Sequence, residues 1–310
     1  MTILSLFSGA GGLDLGLVMS GNSVVWANDI DANAVETYRN NIGHHINCAD
    51  INDVCPSTLP NTDVVVGGFS CQGFSLANLR RQIDDERNKL YRHFYNVIKE
   101  KQPKYFIAEN VKGILSLDGR NAIKTIVKEF SEAGYNTTYK LLNMADYGVP
   151  QNRQRVVIIG QRKDLGDVLY FNFPEKTHGA DGKPLKWVSI KEAINHFPNP
   201  DSENNIPNHI YSSYKVVYRN FTGHRQTNPD KPSPTILARG NGKGGVCAIP
   251  HYNGKRRLTI RESASVQTFP ENFVFSGTLG SCYRQIGNAV SVKFAQLLGA
   301  ELIRLEKTGL

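Results

Sequence analysis

The chain has 310 residues, of which 40% are hydrophobic and 21% are charged, so we expect one large or two modest globular domains. Thirty-six Lys and Arg against 28 Asp and Glu leave a formal charge of +8, which weakly favours a polyanionic partner. Five cysteines without a C-x-x-C pair argue against a disulfide framework and predict a reducing compartment.

The sequence contains neither a recognisable signal peptide nor a membrane span. Its first residues lead directly into an apolar strand, without the basic head and cleavage site of a secretory signal. Every apolar stretch is shorter than the roughly 18 residues that a spanning helix needs. We therefore expect a soluble, cytoplasmic protein that does not contact membranes.

Strands and helices alternate through the first half of the chain. Apolar runs bounded by turn residues predict strands at residues 3–7, 23–28, 45–48, 63–66, 105–108, 139–144 and 156–160. Amphipathic spacing predicts helices at residues 13–20, 32–40, 88–102 and 121–133. This alternation is typical of an α/β fold with a doubly wound, mostly parallel sheet.

The second half of the chain has a different character. Prolines become frequent from about residue 173 and the alternation stops, which indicates a smaller second domain at residues 174–284. A last helix with one apolar face follows Asn288 and is expected to return to the sheet. The first domain is therefore predicted to consist of residues 1–173 and 285–310.

The turn after the first strand predicts a nucleoside cofactor. Gly9 and Gly11 begin a dinucleotide-type G-x-G pattern, but the place of its third glycine holds Asp14, whose carboxylate would repel a pyrophosphate. Glycines ahead of a helix can instead let the backbone hold a carboxylate group. S-adenosylmethionine has a carboxylate, a ribose and an adenine but no phosphate, and therefore fits this turn.

Acidic residues follow the next two strands. Asp29 could accept hydrogen bonds from both ribose hydroxyls, and Asp50 could accept one from an adenine amino group. Taken alone, each is more simply explained as a solvated residue at a strand end. The carboxyl ends of parallel strands meet at one edge of a sheet, however, so this succession favours a nucleoside site.

Cys71 and Glu109 follow the fourth and fifth strands and are candidate catalytic residues. A cysteine in such a loop can be a nucleophile if its surroundings hold it as a thiolate, and a buried core residue is the simpler alternative. A glutamate in a dry cleft can protonate or hydrogen-bond a ring nitrogen near neutral pH. A surface glutamate is the simpler alternative there.

The other cysteines and the histidines suggest no metal site. His44, His45, Cys48 and Cys55 are close in sequence, but their spacing fits no zinc pattern. Cys247 and Cys282 are interpreted as ordinary core residues.

Five motifs in order resemble those of the bacterial-type DNA (cytosine-5)-methyltransferase family. They are LFSGAGG at residues 6–12, GFSCQGFS at 68–75, ENV at 109–111, QNRQR at 151–155 and QIGNAV at 285–290. The resemblance covers essentially the whole chain. It implies the S-adenosylmethionine-dependent methyltransferase fold with a smaller target-recognition domain, and methylation of C5 of cytosine in a short specific duplex DNA sequence.

The resemblance implies catalytic roles that agree with the chemistry above. Cys71 would attack C6 of cytosine, which makes C5 nucleophilic, and Glu109 would bind N3. Arg155, with Arg153 nearby, would lie at the cytosine O2 or at phosphate and help to keep Cys71 ionised. The Phe69 carbonyl would accept from the exocyclic amine. The target carbon is inaccessible in a stacked duplex, so the base must be flipped out.

The implied cofactor site draws on the first three strand ends and the C-terminal motif. Phe7 would pack on the adenine, and Asn288 and Val290 would lie at the methionine side. The full set is Phe7, Ser8, Gly9, Ala10, Gly11, Gly12, Asp29, Ile30, Asp50, Ile51, Asn288 and Val290.

DNA contacts are expected from two segments. Residues 76–87 form a polar loop long enough to close over DNA, although an ordinary basic surface loop is the alternative. The Arg- and Gly-rich residues 223–245 match the family's target-recognition region, in which arginine is the usual reader of guanine. The candidate DNA-binding residues are Ser75, Arg87, Arg225, Thr235, Arg239 and Lys243. Residues 257–270 match a bracing segment whose charged residues are expected to be structural.

Two positions depart from the family pattern. Ser70 stands where the family has proline before the cysteine, so we expect a less pre-organised loop and a lower rate. Ile30 stands where tryptophan often follows the ribose-binding acid. Isoleucine keeps an apolar contact with adenine but loses stacking, so we expect weaker cofactor binding.

The resemblance leaves three functions open. The first is modification of host DNA beside a restriction endonuclease, which would be a genetic rather than a physical partner of a monomeric, nucleoid-associated bacterial enzyme. The second is the same chemistry on tRNA, because one branch of the family acts there. The third is a catalytically weak DNA-binding relative, which Ser70 keeps open.

Overall fold

The computed structural model describes residues 1–69, 89–116, 121–218, 224–238 and 249–309. The strands are β1 (Thr2–Leu6), β2 (Ser23–Asp29), β3 (Ile46–Cys48), β4 (Val64–Gly67), β5 (Tyr105–Val111), β6 (Tyr135–Asn143), β7 (Gln151–Asn152), β8 (Gln154–Arg162), β9 (His178–Gly179), β10 (Leu185–Lys186) and β11 (Ser233–Pro234). The helices are α1 (Gly12–Met19), α2 (Ala32–Asn41), α3 (Lys89–Lys101), α4 (Asn121–Glu132), α5 (Ile190–Ile194), α6 (Ile260–Val266), α7 (Leu279–Asn288) and α8 (Val292–Lys307).

Seven strands form one sheet in the order β3-β2-β1-β4-β5-β8-β6. The pairs from β3 through β5 are parallel, whereas β8 is antiparallel to both β5 and β6. The predicted α/β class with a mostly parallel sheet is confirmed. The reversed β8 brings its amino-terminal end to the edge where β1, β2, β4 and β5 have their carboxyl ends.

Alternate residues of the central strands face two separate apolar layers. Val64 and Val66 of β4 pack with α1, α2 and α8 on one face, and Val65 packs with α3 and α4 on the other. This alternation follows from the two-residue period of a strand. Burial on both faces explains why these strands are continuous apolar runs.

The last helix belongs to the sheet layer. Phe294, Leu298 and Leu302 of α8 are buried in the same cluster as Leu17 of α1. Gly16 permits this contact, since a Cβ there would lie 2.5 Å from the Cβ of Ala295.

The region between the sheet and α8 has little regular structure and buries charged side chains. Arg261 is 0% exposed, and its guanidinium donates to the carbonyls of Pro207 and Pro270 at 3.2 and 2.8 Å and to that of Phe273. Glu262 caps α6 through the Thr259 amide and pairs with Arg256. The expectation that charged residues of this segment are structural agrees with these contacts.

In the described part of the chain, no helix combines the length and apolarity needed to cross a membrane.

Candidate active site

A cavity of about 800 Å³ lies at the carboxyl ends of β1, β2, β4 and β5. Ligands of open α/β sheets bind at this edge. Its walls include nearly all of the described residues that the sequence predicted for the cofactor and catalytic sites. They are Phe7, Ser8, Gly9, Ala10, Gly12, Asp29, Ile30, Asp50, Ile51, Glu109, Arg153, Arg155, Asn288 and Val290.

The turn after β1 is held by the acid at the end of β2. Asp29 Oδ2 accepts from the Gly9 amide at 2.8 Å, and Oδ1 accepts from the Asp31 amide at 2.9 Å. Phe7 and Gly9 both have left-handed φ values, 57° and 55°, so the turn is tightly constrained. Burial raises the pKa of Asp29 above its ordinary value.

Gly12 and Gly11 have different roles. A Cβ on Gly12 would lie 2.4 Å from the Val290 carbonyl oxygen, so glycine lets the C-terminal motif approach the start of α1. Gly11, with φ 85°, instead packs away from the cavity, where a Cβ would lie 2.2 Å from Ile42 Cδ1. Gly11 is the one described residue of the predicted cofactor set that does not line the cavity, and its contact with the cofactor stays a prediction.

The ends of β2 and β3 provide a mixed polar and apolar wall. Asp50 Oδ1 accepts from both the backbone amide and the side-chain amide of Asn52, at 2.9 and 2.7 Å. Ile51 is only 4% exposed, whereas Ile30 is 67% exposed. An isoleucine side chain that is this exposed at the cavity rim can pack over a flat apolar ligand.

Glu109 and Arg155 form an ion pair at the opposite end of the cavity. Arg155 Nε lies 2.7 Å from Glu109 Oε1, and the two side chains are 12% and 13% exposed. The antiparallel register of β5 and β8 pairs Val111 with Arg155, which brings the two side chains together. A Cβ on Gly68 would lie 3.6 Å from Glu109 Oε2, so this carboxylate lies against the segment that leads to Cys71.

Asn110 was missed by the sequence reasoning. Its buried amide Nδ2 donates to the Phe69 carbonyl at 2.9 Å, and its Oδ1 accepts from the Val111 amide. The Phe69 carbonyl, expected to face a substrate amine, therefore already accepts one bond, and its second lone pair remains for a further donor. The adjacency of Asn110 to Glu109 was the available signal.

Arg153 differs most from its expected role. It is 1% exposed and donates to the carbonyls of Ile236, Gly287 and Ala289 at 3.0–3.1 Å. Burial lowers its pKa to about 9. Arg153 therefore braces three backbone segments beside the cavity, and its contact with base or phosphate stays a prediction.

The predicted DNA contacts are only partly described. Cys71, Ser75, Arg87, Arg239 and Lys243 lie outside the described residues. Arg225 is exposed and Thr235 is half-buried. The Thr235 hydroxyl donates to the Asn152 carbonyl at 2.8 Å, so its proton is used within the chain, and the expected phosphate contact is left only its lone pairs.

An ion pair at the cavity rim was also missed. Arg284 of α7 lies 3.2 Å from Asp31, which caps α2, and both line the cavity. No sequence pattern links these residues, which are 253 positions apart.

Among the residues that the structure describes, no three His, Cys, Asp or Glu side chains gather as metal ligands.

The fold is that of the S-adenosylmethionine-dependent methyltransferases, with the carboxylate–guanidinium pair and the glycine turn in one cavity. The chain belongs to the C-5 cytosine-specific DNA methylase family, whose model matches residues 1–304. The predicted family and enzyme class, DNA (cytosine-5-)-methyltransferase, are thereby confirmed.

Curated relatives and a solved structure match over most of their lengths. The chain is 39% identical to the Type II methyltransferase M.NgoFVII of Neisseria gonorrhoeae, with 93% of this chain and 82% of the relative covered. It is 38% identical to the Type II methyltransferase M.FnuDI of Fusobacterium nucleatum, with 97% and 94% covered. A candidate DNA modification methyltransferase encoded within an E. coli prophage superposes with a TM-score of 0.77 at 26% identity, covering 99% of both chains.

Proposed function

We propose that this enzyme transfers the methyl group of S-adenosylmethionine to C5 of cytosine in a short specific duplex DNA sequence. The observation that carries the proposal is the pairing of Glu109 with Arg155 at 2.7 Å in the same cavity as the Asp29-held glycine turn. The proposed cofactor site and the proposed site for a polar ring thus share one cavity.

The residues present fit S-adenosylmethionine. The cavity volume of about 800 Å³ is within the range typical of ligand sites. Asp29, Asp31 and Asp50 line one end of it, which disfavours a phosphate-bearing nucleotide and favours a nucleoside that carries positive charge. When bound, this cofactor supplies an electrophilic methyl group on a sulfonium.

Glu109 and Arg155 are proposed to hold the target cytosine. The Glu109 carboxyl would bind N3, where negative charge develops when C6 is attacked, and Arg155 would donate to O2. Arg155 is anchored on Glu109 through Nε, and its NH1 donates to the Gln154 carbonyl at 2.8 Å.

Cys71 is proposed as the nucleophile. Its thiolate forms a bond to C6, and the C5–C6 π electrons move to C5, which accepts the methyl group. Removal of the C5 proton by a base then restores the double bond and expels the Cys71 sulfur. The base must leave the duplex for this attack, so base flipping belongs to the proposal.

The second half of the chain is proposed to recognise the target sequence. Residues 174–284 would form the target-recognition domain, and residues 1–173 and 285–310 the catalytic domain. Arg225 is exposed there, as a base-reading arginine must be. Arg239 and Lys243 retain their predicted DNA contacts as proposals.

The biological setting follows from the relatives. Both cited curated relatives are named Type II methyltransferases, which supports a role as the modification arm of a restriction–modification system. We place the enzyme in the bacterial cytoplasm, at nucleoid DNA, as a monomer. A cognate endonuclease would be its genetic partner.

Purified enzyme with S-adenosylmethionine labelled in the methyl group tests the proposal. We expect label in duplex DNA and not in tRNA, and loss of the label after Cys71→Ala substitution with duplex binding retained. Bisulfite sequencing of DNA from expressing cells would then identify the modified cytosine and its flanking bases.

Transfer to tRNA alone would establish the tRNA alternative. DNA binding without transfer to either substrate would establish the catalytically weak relative. An active Cys71→Ala enzyme would remove Cys71 as the nucleophile.

A further inference from the structure

Beneath the turn after β1, a chain of hydroxyl groups leads from the cavity wall to a buried carboxylate. Ser8 Oγ donates to Ser5 Oγ at 2.9 Å, and Ser5 Oγ donates to Asp14 Oδ1 at 2.7 Å. Ser8 is half-buried and lines the cavity, whereas Ser5 and Asp14 are 1% and 0% exposed. In this chain, Asp14 is connected to the half-buried Ser8 through the hydroxyl of Ser5.

A second donor approaches Asp14 from the other side. The Tyr38 hydroxyl donates to Asp14 Oδ2 at 2.9 Å and lies 2.9 Å from His45 Nε2. Because its one proton goes to the carboxylate, Tyr38 accepts from the histidine N–H. Donors therefore point to Asp14 from both directions, and Asp14 is the final acceptor of the chain.

The direction of these bonds determines what Ser8 can offer to a ligand. The Ser5 proton is committed to the carboxylate, and the Ser8 proton is committed to Ser5. A hydroxyl has one proton and two lone pairs, so Ser8 Oγ can only accept on its cavity side. A hydrogen-bond donor on the ligand can therefore bind at Ser8 Oγ, whereas a ligand carboxylate has no proton to donate and cannot.

Charge adds to this preference. Burial raises the pKa of Asp14 to about 6, so at pH 7.5 Asp14 is predominantly ionised. A buried negative charge is stabilised by a cation a few ångströms away. Of the groups on S-adenosylmethionine, the α-ammonium is both a cation and a hydrogen-bond donor.

We propose that Ser8 Oγ accepts a hydrogen bond from the ammonium group of the cofactor's methionine portion, and that Asp14, acting through Ser5, is a positioning residue for that bond. The inference rests on the proposed function, because it takes S-adenosylmethionine as the ligand. Ser8 and Asp14 would then select the ammonium group of the cofactor.

Calorimetric binding of two nucleosides tests the proposal without turnover. One is S-adenosylhomocysteine, and the other is its deamino analogue, in which hydrogen replaces the ammonium group. Ser8→Ala should weaken S-adenosylhomocysteine binding about tenfold, because a bond to a charged donor is lost. Affinity for the deamino analogue should stay within about twofold of wild type.

Three further variants distinguish loss of the Ser8 hydrogen bond from a change in packing. Ser8→Thr keeps the hydroxyl and should restore most of the preference for the ammonium-bearing ligand. Ser5→Ala frees the Ser8 proton and should reduce that preference about threefold. Ser20→Ala is the matched control, since its hydroxyl donates to the Leu17 carbonyl at the far end of α1 and should change neither affinity.

Equal losses for both ligands in Ser8→Ala, or no loss for either, would overturn the ammonium assignment while leaving the cofactor intact. A wild-type enzyme that binds neither nucleoside would instead remove the proposed cofactor, and the inference with it. Thermal unfolding of each variant shows whether it is folded, and Ser8→Thr supplies the decisive comparison if Ser8→Ala does not fold.

Discussion

The two ends of the active-site cavity are built in different ways. The proposed cofactor end comes mainly from the first 51 residues, where a backbone turn is held by Asp29 and underlain by the hydroxyl chain to Asp14. The proposed catalytic end combines Glu109 of β5 with Arg155 of β8, which form an ion pair. The proposed cofactor end depends on hydrogen bonds between residues close in sequence, whereas the proposed catalytic end depends on the pairing of β5 with β8.

This difference predicts which residues affect cofactor binding and which affect the chemical step. Groups at the cofactor end hold the ligand equally before and during reaction, so their loss should raise the cofactor KM and leave kcat nearly unchanged. Groups at the catalytic end meet charge that develops only during reaction, so their loss should lower kcat.

Glu109→Gln should have the largest effect. The amide cannot form the ion pair with Arg155 or supply a proton at N3, so we expect kcat to fall about 10²–10³-fold. Steady-state methylation should show an unchanged cofactor KM and, by bisulfite sequencing, an unchanged target. Glu100→Gln, an exposed glutamate on α3, is the control. Wild-type turnover in Glu109→Gln would mean that another group binds N3.

Asp14 should make stability depend on pH. Its pKa is about 6 in the folded protein and 3.8 in the reference state, so the folded protein binds the proton more tightly. Stability relative to Asp14→Asn should therefore be greatest below about pH 3.8 and fall by about 3 kcal/mol as the pH rises from there to 7.5. Urea unfolding of both proteins across this range measures the difference in their free energies of unfolding. A difference that does not change with pH would show that folding does not raise the pKa of Asp14.

Asp29→Asn should weaken the cofactor end specifically. An amide cannot accept from both the Gly9 and Asp31 amides, so the turn loses one of its two anchors. We expect cofactor affinity to fall roughly 10- to 100-fold, as for a lost bond to a charged group. With saturating cofactor, kcat should remain within about threefold of wild type. The exposed Asp53→Asn variant is the control, and a large fall in kcat would break the division between the two ends.

Arg284→Gln should have the smallest effect. Its ion pair with Asp31 spans 3.2 Å at the cavity rim, with the side chains 42% and 30% exposed. Exposed pairs contribute at most about 1 kcal/mol, so cofactor affinity should change less than about fivefold. The effect should shrink as salt is raised from 50 to 500 mM in the binding buffer. A larger, salt-insensitive loss would place Arg284 in direct contact with the ligand.

The strands and the cofactor end could be predicted from sequence because their determinants are local. Apolar runs define strands buried on both faces, and parallel strands bring their carboxyl ends to one edge. Asp29 and Glu109 each follow such a run directly, which is why both were found. Most strand limits agree within two residues, although β6 begins at Tyr135, four residues before the prediction.

Arg153 could not be assigned from sequence because its partners are distant. Arg153 and Arg155 would share a face in a regular strand, but Arg153 lies between β7 and β8, where the alternation is interrupted. Its guanidinium instead satisfies carbonyls 83 to 136 positions away. Buried carbonyls outside regular structure need such donors, and local sequence does not reveal which side chain supplies them.

The central claim, that Cys71 attacks C6 of a flipped cytosine opposite the Glu109–Arg155 pair, has one direct test. Duplex DNA carrying 5-fluorocytosine at the target position permits attack and methyl transfer but leaves no C5 proton to remove, so the Cys71–C6 bond persists. Wild-type enzyme should form a covalent protein–DNA complex on a denaturing gel only when S-adenosylmethionine is present, and Cys71→Ala should form none. A wild-type enzyme that methylates ordinary DNA but forms no such complex, or a Cys71→Ala variant that forms it, would contradict the account.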